Sequence, residues 1–215
     1  MGRKPRPQIA DGIYHVTTRG NGGASIFTDD FDRTAFLARL GHAVGRSQWD
    51  LFAYCLMGNH FHLMIRTPEP NIALGMHTLN QWYAQRFNWR HDRTGHVFEG
   101  PYGAELIENE GHLLEVTRYV VCNPVRAGLC GRPEQWPWSS YRAAIGVTPR
   151  FPWLAIGELL LLFADSSTTA RERYRSFVEE GADRIREDLA RARDQVRGLV
   201  PFGPGLGPGP GTGPI

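Results

Sequence analysis

Two histidines, His60 and His62, are separated by one residue in a run that places His60, His62 and Met64 against Phe61, Leu63 and Ile65. Alternate residues of a β-strand share a face, so both imidazoles point the same way while Phe61 turns toward the core. Two imidazoles on one face can hold one divalent cation. A wet sheet face can carry the same spacing without a metal, so the neighbours decide. Tyr119 and Asn123 form a second pair, four residues apart and therefore stacked one above the other on a helix. At about 100° per residue, His112, Glu115, Tyr119 and Asn123 share one narrow polar arc, and Leu113, Thr117, Val120 and Val121 a neighbouring apolar one. Tyr83 competes for a chemical role, but it belongs to the apolar stripe Ile72, Met76, Leu79, Tyr83, Phe87 and is expected in the core. A phenol with a pKa of about 10 needs assistance to act as a nucleophile. His112 and Glu115 are the candidate general bases on the Tyr119 arc.

Basic residues surround these groups. Arg86, Arg90 and Arg93 sit on or just after the Tyr83 helix, and Arg118 and Arg126 flank Tyr119. Guanidiniums near a phosphate-handling site contact backbone oxygens, although single surface arginines are common. The N-terminal Arg3-Lys4-Pro5-Arg6 resembles arms that read a minor groove or hairpin. Its prolines keep it extended. Trp82 and Trp89 can stack on exposed bases or pack at the rim.

The elements that must position these residues follow from periodicity. Ile13–Thr18 alternates as a strand, and Asp29 or Asp30 can cap a helix carrying Phe31, Phe36, Leu37, Leu40 and Val44. Trp49–Met57 and His60–Arg66 are strands joined by a Gly58-Asn59 turn. Residues 72–90 form a helix, 96–107 one or two strands bent at Gly100-Pro101, and 109–122 a helix stopped at Asn123-Pro124. The order β-α-β-β-α-β plus an extra helix predicts an α+β, ferredoxin-like antiparallel sheet with helices on one face. Four regions result: a basic flexible arm at 1–10, the ferredoxin-like domain at 11–147, a helical extension at 148–199, and a disordered Gly/Pro-rich tail at 200–215. Within the extension, the alternating Arg and Asp/Glu of 168–197 read as a solvated helical face.

The chain has 215 residues and a formal net charge of +2, so a nucleic-acid partner requires basic residues gathered on one face rather than in large excess. Cys55, Cys122 and Cys130 form no C-x-x-C pair, which suggests reduced thiols and a cytoplasmic setting. The basic N-terminus has no apolar run behind it, unlike a signal peptide. The stretch Leu154–Ala164 is too short to span a bilayer, and no membrane partner is expected.

The run Tyr54-Cys-Leu-Met-Gly-Asn-His-Phe-His-Leu-Met-Ile resembles the strand-turn-strand of the HUH endonucleases, most closely the IS200-like, REP-associated single-tyrosine transposases. Tyr14-His15-Val16 with Arg19-Gly-Asn, Tyr83-Ala-Gln-Arg-Phe-Asn, Arg93 to Tyr102, Arg118-Tyr119 to Leu129, and Trp138-Ser-Ser-Tyr141 are similar to further blocks of that family, in order, over roughly residues 11–146. Pro101 departs from it, since the family often has Arg there. The resemblance implies a metal-dependent transposase-type endonuclease and strand transferase. It would cut single-stranded DNA near hairpin repeats through a 5′-phosphotyrosine on Tyr119. The resemblance also assigns a Mg²⁺ or Mn²⁺ ion to His60, His62 and Asn123. The partner is single-stranded or hairpin DNA, and the protein would be a monomer or homodimer.

Three alternatives share parts of this pattern. A ferredoxin-like module that holds nucleic acid without cutting has no use for H-x-H with Tyr-x₃-Asn, and its expected run of stacking aromatics is missing. Relaxases and replication initiators use the same chemistry, usually in longer chains. A domesticated transposase acting on its host's repeats would have this same sequence pattern.

Overall fold

The computed structural model describes residues 8–199; Arg3, Lys4 and Arg6 of the basic arm and the Gly/Pro-rich stretch 200–215 lie outside the described residues. The elements are β1 (Gly12–Arg19), α1 (Asp30–Ser47), β2 (Asp50–Leu56), β3 (His60–Thr67), α2 (Ile72–Arg90), β4 (Gly103–Leu106), α3 (Glu110–Arg126), α4 (Tyr141–Ala144), α5 (Ile156–Leu161) and α6 (Ser167–Leu199). The strands form one antiparallel sheet in the order β2-β3-β1-β4. β1 to β4 with α1 and α2 make the expected βαββαβ unit. Among the described residues no helix is long and apolar enough to cross a membrane.

The alternation in β3 divides the molecule into two faces. Phe61, Leu63 and Ile65 are fully buried. Phe61 packs on Phe36 of α1 with ring centroids 4.6 Å apart, and Phe36 meets Tyr83 of α2 edge on. Burying a side chain of this size stabilises the fold by about 1.5–3 kcal/mol. On the other face the register pairs Arg19 with His60, Thr17 with His62 and His15 with Met64, and β4 places Glu105 opposite His15. Directly paired residues share a face, so His15, His60, His62 and Glu105 rise together toward α3. Thr117 of α3 touches the Met64 sulfur at 3.3 Å.

Helix ends follow local chemistry. Asp29 caps α1 by accepting from the Asp32 amide at 3.0 Å, and Asn109 caps α3 by accepting from the His112 amide at 2.9 Å. The expected stop of α3 at Asn123-Pro124 does not occur; the helix runs to Arg126 with Pro124 inside it. Proline deletes only one donor, the one that would reach the carbonyl four residues back. The next bonds close normally, from the Ala127 amide to Asn123 and from the Leu129 amide to Pro124, each at 2.9 Å. Gly128, at φ 69, then ends the turn. Asn123 therefore lies within a helical turn instead of terminating one.

Between residues 96 and 107 only Gly103–Leu106 forms a regular strand, with one isolated bridge from Phe98 to Gly20. Pro101 has no N–H to donate to a ladder.

The extension is not a wholly solvated helix. Ala170, Tyr174, Val178, Ala182 and Ile185 recur about every turn along α6 and are buried in the common core. This stripe lies on α3. The Arg118 guanidinium sits 4.4 Å from the Phe177 ring centroid, and a β-carbon at Gly181 would come within 2.3 Å of Arg118 Cδ. Glycine thus permits the two helices to approach at that crossing. The preceding segment joins the sheet edge, where the Ala155 amide donates to the Leu51 carbonyl at 2.8 Å.

Candidate active site

The two histidines are held in different ways. His60 Nδ1 lies 2.7 Å from Asn59 Oδ1, and the same amide's Nδ2 donates to the Gly23 carbonyl at 3.1 Å. An amide oxygen only accepts, so His60 Nδ1 carries the proton and Nε2 presents its lone pair. His62 Nδ1 lies 2.9 Å from His15 Nε2, and the two rings stack at 5.2 Å with planes 13° apart. His62 Nε2 is buried on the Asn123 side and, among the described residues, has no partner at hydrogen-bond distance. The His60 and His62 rings stand nearly perpendicular, 5.0 Å apart. Burial, assisted by the neighbouring His15 and His60, pushes His62 down to about 3. Burial also lowers His15 and His60. All three rings are therefore held toward the neutral form, which is the form that ligates metals.

Asn123 is buried beside both imidazoles. Its Nδ2 donates to the Tyr119 carbonyl at 3.4 Å, leaving Oδ1 available on the histidine side. Tyr119, one turn earlier, is 38% exposed. Its ring meets His62 and His15 edge on at 5.5 and 5.6 Å, and the Arg126 guanidinium lies 5.4 Å from its centroid. Tyr83 is in the core on the opposite side of the sheet, where its hydroxyl donates to the Ile26 carbonyl at 2.5 Å and burial raises its pKa. Of the two tyrosines, only Tyr119 shares the histidines' face.

A divalent cation fits this donor set. Leaving a buried ring nitrogen without a partner costs about 1–3 kcal/mol, and the His62 Nε2 lone pair would be satisfied by a metal. Two imidazole nitrogens and one amide oxygen suit a cation such as Mn²⁺, or Mg²⁺ with waters retained. Among the described residues no cluster of three or more His, Cys, Asp or Glu is arranged to hold a metal. Asn123 adds an amide oxygen beside the two imidazoles. A groove of about 430 Å³ between α3 and α6 opens beside Tyr119, lined in part by His112, Glu115, Arg118, Arg126 and Arg184.

The predicted phosphate-contacting arginines do not form one cluster. Arg126 stands at Tyr119. Arg118 is bonded to Glu115 and stacked on Phe177, so it docks α6. Arg90 is bound to Asp29 and Asp32 at 2.6 Å each, and its guanidinium covers Phe31. It secures the start of α1 through these two carboxylates. Arg86 covers Phe31 and Trp82, and Arg93 covers Phe87. Arg86 and Arg90 lie on α2, across the sheet from the histidines. Trp82 is half-buried beneath Arg39 and Arg86, whereas Trp89 is exposed. Glu115, a candidate base, is occupied by Arg118.

Three site residues escape sequence reasoning. His15, Asn59 and Glu105 complete the surroundings of the histidine pair. Glu105 bridges His15 Nδ1 at 3.9 Å and His112 Nε2 at 3.8 Å. The alternation of β1 does place His15 on one face, but only the pairing register shows that this is the face of His62.

Comparison with known proteins agrees with this architecture. A model of the family described as IS200-like transposases matches residues 8–123, more than half of the chain. Among solved structures, a REP-associated tyrosine transposase bound to a REP hairpin superposes with a TM-score of 0.59 at 15% sequence identity. The match covers 71% of this chain and 90% of that one. At that identity the likeness speaks for the fold. No curated protein matches the chain significantly.

Proposed function

Because the chain belongs to the IS200-like transposase family, we propose that it cuts and rejoins single-stranded DNA through a covalent phosphotyrosine on Tyr119, using a divalent cation held by His60, His62 and Asn123. One observation carries this reading: an exposed tyrosine lies edge on against two neutral histidines, one of which has a buried nitrogen without a partner. The supporting residues divide the work. Asn59 and His15 restrain the rotation of the two imidazoles. Arg126 places a positive charge over the Tyr119 ring, where a guanidinium can contact a phosphate brought to the tyrosine.

When bound, Mg²⁺ or Mn²⁺ supplies a Lewis acid that polarises the scissile phosphate and offsets charge developing on it. The Tyr119 oxygen attacks phosphorus, a Tyr–O–P bond forms to the 5′ phosphate, and the P–O3′ bond breaks. The departing 3′ oxygen takes up a proton. The new phosphodiester retains the energy of the old one, so a 3′-hydroxyl can attack it and rejoin the strand without ATP.

The proposed substrate is single-stranded DNA beside a hairpin. The solved neighbour is itself a transposase bound to a REP hairpin. A groove lined by Arg118, Arg126 and Arg184 runs beside Tyr119. Arg126, with Arg86, Arg93 and the arm residues Arg3, Lys4 and Arg6, remains in the proposed DNA-binding set, while Arg90 and Arg118 have structural partners. Against the non-cleaving alternative stands α3, which packs over the histidine face of the sheet. Incubation with a library of single-stranded hairpins and Mn²⁺ tests the proposal. A covalent protein–DNA adduct is expected; its absence with every hairpin, or its survival in Tyr119→Phe, overturns the assignment.

A further inference from the structure

We propose that His15 is a positioning residue for metal binding: it fixes His62 in the tautomer that carries its proton on Nδ1 and points the Nε2 lone pair at the cation. This rests on the reading of His60, His62 and Asn123 as the ligands, but it concerns a residue that touches none of the reacting atoms.

The inference follows from counting protons. His62 Nδ1 and His15 Nε2 are 2.9 Å apart, so a single proton lies between two ring nitrogens. If that proton belonged to His15, the proton of His62 would sit on Nε2, on the side of the Asn123 amide, and the Nδ1 lone pair of His15 would face the Glu105 carboxylate. A proton on His62 Nε2 would also block that nitrogen as a ligand. If it belongs to His62, the proton of His15 moves to Nδ1, which faces the Glu105 carboxylate at 3.9 Å. Only the second arrangement turns an N–H of His15 toward the Glu105 carboxylate and leaves a lone pair on His62 Nε2. The chain then runs Glu105 carboxylate, His15 Nδ1–H, His15 Nε2, His62 Nδ1–H, His62 Nε2 lone pair. The stacked rings, with planes 13° apart, also oppose rotation of His62 about χ2. Asn59 performs the equivalent task for His60 at 2.7 Å, so both imidazoles present the same kind of nitrogen.

Long-range ¹⁵N–¹H correlation spectra of the metal-free protein test the tautomer directly. His62 is expected to show a protonated Nδ1 and an unprotonated Nε2; the reverse pattern overturns the proposal. Mn²⁺ titration by calorimetry then tests its consequence. His15→Leu, which fills the space without accepting a hydrogen bond, is expected to weaken Mn²⁺ binding by about 10- to 100-fold, as loss of an outer hydrogen-bond partner does. His15→Gln, whose amide oxygen can take the place of Nε2, is expected to restore most of the affinity. Native affinity in His15→Leu overturns the proposal, as does a Gln variant no better than Leu. Should the Leu variant fail to fold, the native tautomer and the Gln variant still decide. His62→Ala separates the two levels: Mn²⁺ affinity unaffected by that change removes the ligand assignment and this proposal with it. Affinity lost in His62→Ala but intact in His15→Leu removes this proposal alone.

Discussion

The rings of His62 and Tyr119 meet edge to face, with centroids 5.5 Å apart and planes at 87°. This contact joins β3 to α3 and sets the phenol on the histidines' face of the sheet. It also makes a clean experiment possible, because the ring contact does not depend on the hydroxyl.

Tyr119→Phe keeps the ring and removes the nucleophile. The covalent adduct is expected to vanish, with cleavage falling on the order of 10⁴-fold or more, the scale of deleting a covalent nucleophile. Hairpin binding measured by gel shift should persist. Tyr83→Phe should instead retain the adduct and lose about 1–3 kcal/mol of stability, because the buried Ile26 carbonyl loses its donor. The opposite pattern would transfer the nucleophile to Tyr83.

His60→Ala and His62→Ala should each abolish cutting, and excess EDTA should do the same to the native protein. Both outcomes follow from one shared cation. Undiminished cleavage in chelator would rule the cation out.

Asn123→Ala should raise the Mn²⁺ concentration required for half-maximal cutting without eliminating the reaction, since a neutral oxygen donor is lost and both imidazoles remain. The position of Asn123 inside a continuing helical turn excludes a simple capping role. An unchanged metal titration would reduce Asn123 to a packing residue.

Arg90 should matter for folding and not for DNA. Its hydrogen bonds hold Asp29 down to about 2, below the usual carboxylate value. A depressed carboxylate pKa contributes stability above the unfolded value of about 3.9, and that contribution disappears as pH falls through the folded value. Native protein should therefore lose this increment between about pH 4 and pH 2. Arg90→Leu should already lack it at neutral pH, giving a lower melting temperature and a flatter acid dependence. Weakened hairpin binding by a fully folded Arg90→Leu would return Arg90 to the DNA interface.

A hairpin with an adjacent single strand should be cut, and a blunt duplex of the same sequence should not. Deletion of residues 1–8 should reduce discrimination between hairpins more than it slows cutting at saturation, because Arg3, Lys4 and Arg6 would act in recognition. Competition cleavage of two hairpins measures this. Equal discrimination by truncated and full-length protein would exclude the arm, and equal cutting of duplex would exclude the substrate class.

Much of this arrangement was legible in the residues. The period of two in β3 located His60 and His62, and the period of 3.6 in α2 gave both its limits and the burial of Tyr83. The polar arc of α3 brought Tyr119 and Asn123 to one side. Local pattern could not supply pairing register, so His15 was visible as a residue but not as the neighbour of His62. Nor could it supply tertiary partners: Arg90 and Arg118 resembled free surface arginines until Asp29, Asp32 and Phe177 were placed beside them. In α6 the buried stripe mixes small alanines with Tyr174 and Val178 among many charges, which dilutes its signal. At Pro124 the local stop rule gave way because the turns on either side pay for one missing bond.

The crossing of α6 over α3 has a consequence during synthesis. The helix carrying Tyr119 leaves the ribosome well before the Tyr174–Ile185 stripe that covers its outer side. At about 5–20 residues per second, that interval lasts on the order of several seconds. Throughout it, the nascent chain already contains both histidines and the tyrosine, yet the tyrosine helix lacks its cover from α6. Translation order thus delays the bracing of Tyr119 until almost the whole described chain has been made, and a message broken between α3 and α6 would yield a chain with both histidines and the tyrosine but without the helix that covers α3.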